Sequence, residues 1–528
     1  MREGFQGSLQ HRVQTLLEVF ESRKWLLLLL FSALYFVGFC LIASKEVVTN
    51  DELFTFYIAR LPHFHNVWDA LATGVEQTPP FFYVVTRADM ALLGTTTLAL
   101  RMPELLGFWL MCVCLFHFVS KRSSALYGFI AMLFPVMTTG FTFVTDARAY
   151  ALVLGFSAFA LLCWQWATEN RHRTLALVGL AISLAAAVSS HYYAVLSLFP
   201  LGLGEVVRSI RRKRIDVGVW LALGLSLLPL LLFLPLIRAA QKFAPHFWAK
   251  PHWASMFYFY QHFLLAPTVL PLLVILLAVV SYTDFRRPKP DTGEPRLRSC
   301  IPAHEIAAVL GFLLIPVVGV VLAKTVVGAF SDRYALPAVI GLSIIIAWGL
   351  YTALDAQPEL AFALGLLLCV FLVVKEVQTY RRVVEVRAQQ ASTYVFLEAH
   401  AKGDAPIVIS NPGEFTVLTY AAPQKLEHRL LYLADPELGL RYTGTNDLEQ
   451  GLEGMKSWAG LNVQPFRAFV ASGQKCYIYV TNYPDNYEWI IRALQAAHWR
   501  MRLLKWQGGK ILFSAGPGPN GKALSGGK

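Results

Sequence analysis

About eleven stretches of this chain stay apolar for close to the ~20 residues that an α-helix needs to cross the hydrocarbon core of a bilayer. They fall at 25–43, 99–119, 124–142, 146–167, 174–190, 192–207, 216–237, 263–282, 304–324, 334–353 and 358–375. Such a series leaves little choice of fold. The chain is expected to be an α-helical polytopic membrane protein. Composition agrees, with 56% hydrophobic and 15% charged residues, against about 45–50% and 25% in soluble domains. The first stretch follows 24 mostly polar residues and precedes no small-x-small cleavage signature. It reads as an uncleaved signal anchor, with 1–24 as a cytoplasmic N-terminus.

The formal net charge of +12 invites a nucleic-acid reading. The position of the charges opposes it. Arg23/Lys24, Lys121/Arg122, Arg171/Arg173, Arg208 to Arg214 and Arg286 to Arg298 all fall in short segments on one side of the expected spans. The positive-inside rule makes that side cytoplasmic. The segment 44–98 carries only Lys45, Arg60 and Arg87 and falls outside. This arrangement requires that Pro79–Gly94 not cross. Its Pro-Pro start and its Arg87 and Asp89 suit a helix lying in the outer interface, like the one beginning near Asp51. The expected location is therefore the inner or plasma membrane, in contact with lipid and not with nucleic acid.

From about Lys375 the pattern changes. Segments 405–410, 429–433 and 475–480 read as strands, 486–498 as a helix, and 501–513 as a strand pair turning at Gly508-Gly509. The expected organisation is a transmembrane domain over 25–375, a small α/β extracytoplasmic domain over 376–515, and a disordered tail over 516–528. The seven cysteines show no C-x-x-C or Cys/His spacing, and five lie inside apolar spans. Neither a thiolate zinc site nor a disulfide framework is implied.

Four polar clusters converge on the outer side of this topology. They are Asp51-Glu52 with Glu76, then Asp146-Ala-Arg148-Ala-Tyr150, then His191-Tyr192-Tyr193, and last Asp332-Arg333-Tyr334, with Lys324 closing the span before it. Each also has an ordinary reading. Asp51 and Glu52 suit the first turn of a helix capped by Thr49 or Asn50. Asp146 and Arg148 suit an interfacial ion pair. His191 and its tyrosines suit an aromatic belt, and Arg333 suits a snorkelling anchor. The coincidence of all four on one face favours a site.

In order and spacing, Asp51-Glu52, Pro79-Pro80-Phe81-Phe82-Tyr83, Arg101-Met-Pro103, Asp146-Ala-Arg148-Ala-Tyr150, His191-Tyr192 and Arg333-Tyr334-Ala-Leu-Pro337 resemble the GT-C class of integral-membrane glycosyltransferases. The branch they resemble holds protein O-mannosyltransferases and the lipid A aminoarabinose transferase. The resemblance spans about residues 25–375. Relatives often carry His or Lys before the Pro-Pro pair, where this chain has Thr78.

The resemblance implies inverting transfer of a sugar from a polyprenyl-phosphate donor to an acceptor hydroxyl of a glycolipid, polysaccharide or protein, at the outer membrane face. A phosphate leaving group needs cationic stabilisation and no general acid. Arg148, Lys324, Arg333 and Tyr334 are the expected phosphate contacts. Asp51 is the expected base, with Glu52 and Asp146 shaping the site. Asp51 and Asp146 are the candidates for holding a divalent ion, of unassigned identity. Glu76, Tyr150, His191 and Tyr192 are expected against the sugar or the acceptor. The alternative is a transporter or flippase of lipid-linked sugars, which predicts mid-span charges and internal symmetry. A non-catalytic scaffold is a third reading, and it leaves the acidic pair and the arginines without a purpose.

Overall fold

The computed structural model describes residues 15, 17–74, 76–242, 245, 247–264, 301–354, 357–481 and 489–518. The chain forms two compact units. One holds Met1–Ser44, Thr78–Leu234 and Pro251–Tyr380; the other holds Lys45–Gln77, Pro235–Lys250 and Arg381–Lys528.

The first unit is helical. Six helices among the described residues are long and apolar enough to cross a membrane: Lys24–Lys45, Thr97–Ser120, Tyr150–Thr168, Arg173–Ser190, Tyr192–Arg212 and Pro358–His400. Two helix pairs, each broken by a bend, raise the number to eight. One of these joins Ala303–Leu313 to Ile315–Val327 at 52°, with Pro316 at the break. Proline removes an intrahelical donor and clashes with the preceding turn, which accounts for the kink. Ala125–Met137 and Ala338–Ala353 are apolar but shorter, and they match the expected spans at 124–142 and 334–353. The expected span at 263–282 lies almost wholly outside the described residues. Pro80–Leu93 is a helix of 14 residues, too short to cross.

Ion pairs gather the basic loops at one end of these helices. Arg122 Nε donates to both oxygens of the buried Glu305 at 3.1 and 3.0 Å, and Arg122 also meets Glu169 at 2.7 Å. Arg208 Nη1 bridges Glu205 and Asp216, both at 2.9 Å, and Arg173 pairs with the same Asp216. The segments around 122, 169–173, 208–216 and 305 therefore share one end. The segments around 104, 150, 191 and 334 meet at the other, as described below.

Glycines set the spacing of the central helices. A Cβ on Gly155 would stand 2.4 Å from the carbonyl oxygen of Gly107, and one on Gly107 would stand 2.4 Å from Leu152 Cα. Helices Thr97–Ser120 and Tyr150–Thr168 therefore touch backbone to backbone, as small residues permit. This approach lets Glu104, fully buried, accept hydrogen bonds from Ala151 N at 2.6 Å and Leu152 N at 3.1 Å. The second helix lacks a capping side chain of its own at Ala149, and the neighbouring helix supplies one. Gly155→Val should force the pair apart at a cost of about 1–3 kcal/mol. A lower melting temperature in detergent is expected, and an unchanged one would show that the helices separate freely.

The second unit is built on a six-stranded sheet in the order β3-β2-β1-β4-β6-β5. The strands are β1 (Ile407–Ile409), β2 (Leu430–Ala434), β3 (Val463–Pro465), β4 (Cys476–Thr481), β5 (Trp499–Gln507) and β6 (Lys510–Pro517). β3, β2, β1 and β4 are parallel, whereas β6 pairs antiparallel with β4 and β5. Every residue of β1 and β2 is buried, as expected for strands covered on both faces. Gly508 and Gly509 turn the last hairpin with φ of 56° and 78°. Positive φ at both central residues is what a tight two-residue hairpin turn demands.

Helix Asn50–Ala59, which precedes all of these strands in the chain by several hundred residues, packs into the same unit. Phe54 lies in its hydrophobic core, against Gly451, where a Cβ would stand 3.1 Å from the Phe54 ring. Phe56 meets Tyr420 edge to face at 5.1 Å. Thr416 Oγ1 donates to Asn50 Oδ1 at 2.8 Å. The helix Pro358–His400 has 43 residues and is about 65 Å long at 1.5 Å per residue. It continues unbroken through 375, where a domain boundary was expected.

Candidate active site

In the first unit, the chain between Val144 and Tyr150 makes tight turns. Arg148 N donates to Asp146 O at 2.6 Å, and Tyr150 N to Arg148 O at 2.5 Å. Helix Tyr150–Thr168 begins there under the Glu104 cap. Tyr150 is thereby held against His191, with ring centroids 5.4 Å apart, and against Tyr334 at 6.3 Å. His191 lies 4.9 Å from Tyr334. The Arg333 guanidinium stands over the Tyr150 ring at 5.4 Å, a cation–π placement. Three expected clusters thus share one aromatic wall.

His191 follows the end of helix Arg173–Ser190, and its Nδ1 accepts from Tyr193 N at 3.2 Å. Burial, followed by the positive charges of Arg148 and Arg333, lowers its pKa to about 3. The imidazole is therefore neutral at physiological pH, with Nε2–H left as a donor. Two guanidinium groups close enough to suppress its charge make this a region that favours an anion.

Tyr193 enters the wall as well, stacked on Tyr334 at 4.6 Å, with its hydroxyl donating to Ala329 O. Sequence reasoning named Tyr192, its half-buried neighbour. Alternation of the aromatic pair gave no means of choosing between them. Lys324 is exposed and stands 5.3 Å over Trp253. Asp146 is half-buried beside Arg148 in sequence.

The acidic pair belongs to the second unit. Thr49 caps helix Asn50–Ala59 by accepting from Glu52 N at 3.4 Å, and the buried Glu52 carboxylate accepts from Thr49 N at 2.8 Å. This reciprocal capping box gives Glu52 a structural task. Asp51 lies one residue earlier, half-buried, and does not act as the cap. Its charge is felt by Asp447, at the start of helix Asp447–Ala459. Burial foremost, with a contribution from Asp51, raises the Asp447 pKa. The two carboxylates, 396 positions apart in the numbering, are thus near enough to interact electrostatically, which no local signal in the sequence reveals. Glu76 is half-buried and accepts from Gln77 N at 2.9 Å.

Among the described residues no group of three or more His, Cys, Asp and Glu side chains is placed to hold a metal ion. The two carboxylates proposed from sequence as ion ligands, Asp51 and Asp146, fall in different units. No ligand set is assigned.

Glu414, in the first turn of helix Pro412–Tyr420, is a further perturbed acid. Burial raises its pKa to about 7, against an ordinary 4.5, although Thr481 donates to it at 2.9 Å. Between pH 4.5 and 7 the unfolded chain ionises this group while the folded chain holds the proton. Stability is then full below about 4.5 and falls as pH rises through 7. The loss is at most about 3 kcal/mol. Glu414→Gln should flatten that part of the curve in thermal melts across this range. An unaltered slope would mean that the carboxylate is well solvated.

The fold, a bundle of apolar helices completed by a small C-terminal sheet, is one found among solved membrane-protein structures. In particular, the chain is similar to the crystal structures of ArnT from Cupriavidus metallidurans. The apo form aligns with TM-score 0.54 and 14% identity over 93% of this chain and 97% of that one. The form bound to undecaprenyl phosphate aligns with TM-score 0.56 and 15% identity over 93% and 98%. An oligosaccharyltransferase from Archaeoglobus fulgidus aligns at TM-score 0.39 with 14% identity over 85% and 68%, too low to bear on the fold. No protein-family model matches the chain, and no curated protein matches its sequence.

Proposed function

We propose that this chain is an inverting glycosyltransferase that takes a sugar from a polyprenyl-phosphate donor and passes it to an acceptor hydroxyl. The observation that carries the reading is the paired guanidinium groups of Arg148 and Arg333 beside the Tyr150–His191–Tyr334 wall. A lipid-linked phosphate needs cations at one membrane end, and a sugar needs ring faces and neutral donors beside them. The structural likeness to ArnT bound to undecaprenyl phosphate supports the same donor class.

In this mechanism the acceptor oxygen attacks the anomeric carbon from the face opposite the phosphate. The anomeric C–O bond breaks, and the electron pair leaves on the polyprenyl phosphate. Arg148 and Arg333 stabilise the growing charge, and Tyr334 joins them. Asp51 takes the acceptor proton. Glu52 shapes the helix start that presents Asp51. The neutral His191 donates a hydrogen bond without repelling the arginines. Within the first unit, Arg148, Arg333 and the aromatic wall lie at the helix ends opposite the basic loops, and the positive-inside rule supports a periplasmic or outer face for them.

The test begins with cells lacking the protein, in which mass spectrometry should find an accumulated lipid-linked sugar. The purified chain in sealed, right-side-out vesicles should then consume that donor when acceptor is added outside. Movement of intact donor across the bilayer without consumption would make the chain a flippase and end the transferase reading.

A further inference from the structure

The second unit contains a cavity of about 1280 Å³ among the C-terminal ends of β1 and β4, the β5–β6 turn and the residues 386–400 of the long helix. We propose that this cavity binds an uncharged saccharide chain, with Glu414, Thr481 and Tyr479 among its hydrogen-bonding groups.

The topology places the cavity. The sheet runs from β1 to β2 and β3 on one side and to β4 on the other. The space beyond the carboxyl ends of β1 and β4 is thus a topological switch point, where parallel sheets open a crevice for ligands. Asn411 and Glu414 follow β1 into this space, and Thr481 ends β4 there.

Its chemistry selects the ligand. The helix that starts after β1 would suit a phosphate at its N-terminus, but its own side chains already occupy that position. Asn411 caps the N–H of Glu414 at 2.9 Å, and the Glu414 carboxyl stands in the first turn. A nucleotide or sugar phosphate would meet that carboxyl. The ammonium of Lys510 lines the same space and bonds Ser392. One acid and one base leave little net charge to attract an ion of either sign. His400 also faces the cavity, with Nδ1 turned to Phe396 O at 2.9 Å.

The other polar groups are neutral. They include Asn50, Gln389 and Gln390, set beside the apolar surfaces of Val386, Phe396 and Leu418. Amides and hydroxyls interleaved with apolar patches match a saccharide, which presents hydroxyl edges and C–H faces. Tyr479 is 0% exposed and lines the cavity beside Thr393, whose side chain interacts with its hydroxyl. The Glu414 carboxyl is retained against the stability argued above. The volume exceeds the roughly 300–1,000 Å³ of ordinary small-molecule pockets, which suits several linked rings better than one.

Asn50 lines the cavity and directly precedes Asp51. A saccharide held there lies at the same helix start as the proposed base. Binding is read without donor, so its failure would be separate from failure of the transfer reading.

The full chain, fluorescently labelled in nanodiscs free of glycoside detergent, should be applied to an array of neutral and charged glycans. Saturation-transfer NMR on the same nanodiscs should then examine the bound neutral oligosaccharides, beside glucose 1-phosphate and tetra-alanine. Saturable binding of neutral glycans is expected. Tyr479→Phe should weaken it roughly three- to tenfold. Ala399→Trp, which fills the cavity from its exposed rim, should abolish it without changing the melting temperature. A second filling variant, Val395→Trp, guards against misfolding of the first. Binding of no glycan, of charged glycans, the phosphate or the peptide alone, or of neutral glycans equally by both folded filling variants, would each overturn the proposal.

Discussion

Asp51→Asn should leave a folded protein whose sugar transfer falls by ~10²-fold or more. The structure makes the folding half of this expectation firm. The helix that carries Asp51 is capped by Thr49 and Glu52, and it is anchored through Asn50, Phe54 and Phe56. What Asn removes is one negative charge in a first turn, worth about 0.3–1 kcal/mol to the helix dipole. A base loses its function completely on the same change. Transfer and thermal unfolding should be measured on one preparation. Near-normal turnover in a stable Asp51→Asn protein would rule out Asp51 as the base. Glu52→Gln is the parallel control and should act differently. A Gln there can still accept from Thr49 N and complete the capping box, so stability should change by no more than the about 0.3–1 kcal/mol of the lost first-turn charge. Asp447→Asn completes the set. The Asp51 charge adds to burial in raising the Asp447 pKa. The pH dependence of transfer should shift in Asp447→Asn if the pair works together.

Arg333→Ala should lower transfer roughly ten- to a hundredfold, the equivalent of the ~1.5–3 kcal/mol of an ionic hydrogen bond. The guanidinium stands over Tyr150 and helps hold His191 neutral, so the substitution also loosens the wall. Arg333→Lys should restore the charge without the planar stacking and give only partial recovery. A raised donor KM with little change in kcat would place Arg333 on the ground-state phosphate. A fall in kcat would place it on the leaving group. Wild-type kinetics in both Arg333→Ala and Arg148→Ala would make the two arginines interfacial anchors.

The acidic helix and the C-terminal domain belong to one unit, which bears on what that domain does. Its core receives Phe54, its Thr416 bonds Asn50, and its Asp447 feels the charge of Asp51. On the transferase reading, the domain fixes the orientation of the base.

The sequence by itself determined the membrane fold and, among the described residues, the positions of most apolar helices and the shared end of the basic loops around 122, 171–173 and 208–214. Each of these follows from hydropathy over about 20 residues and from loop charge, which are local quantities. Three parallel strands and the Gly508-Gly509 hairpin were legible for the same reason, from short apolar runs and turn chemistry. β3 was not, since Val463–Pro465 carries a polar residue and a proline in three positions. Only the tertiary structure decided that Glu104 caps a neighbouring helix, that Tyr193 joins the aromatic wall and that Asp447 feels the charge of Asp51. It alone showed that helix Asn50–Ala59 is built into a sheet formed more than 340 residues later. These are pairings across long sequence separations. They depend on glycine contacts and on the direction of individual side chains, which leave no periodic signal in a single chain.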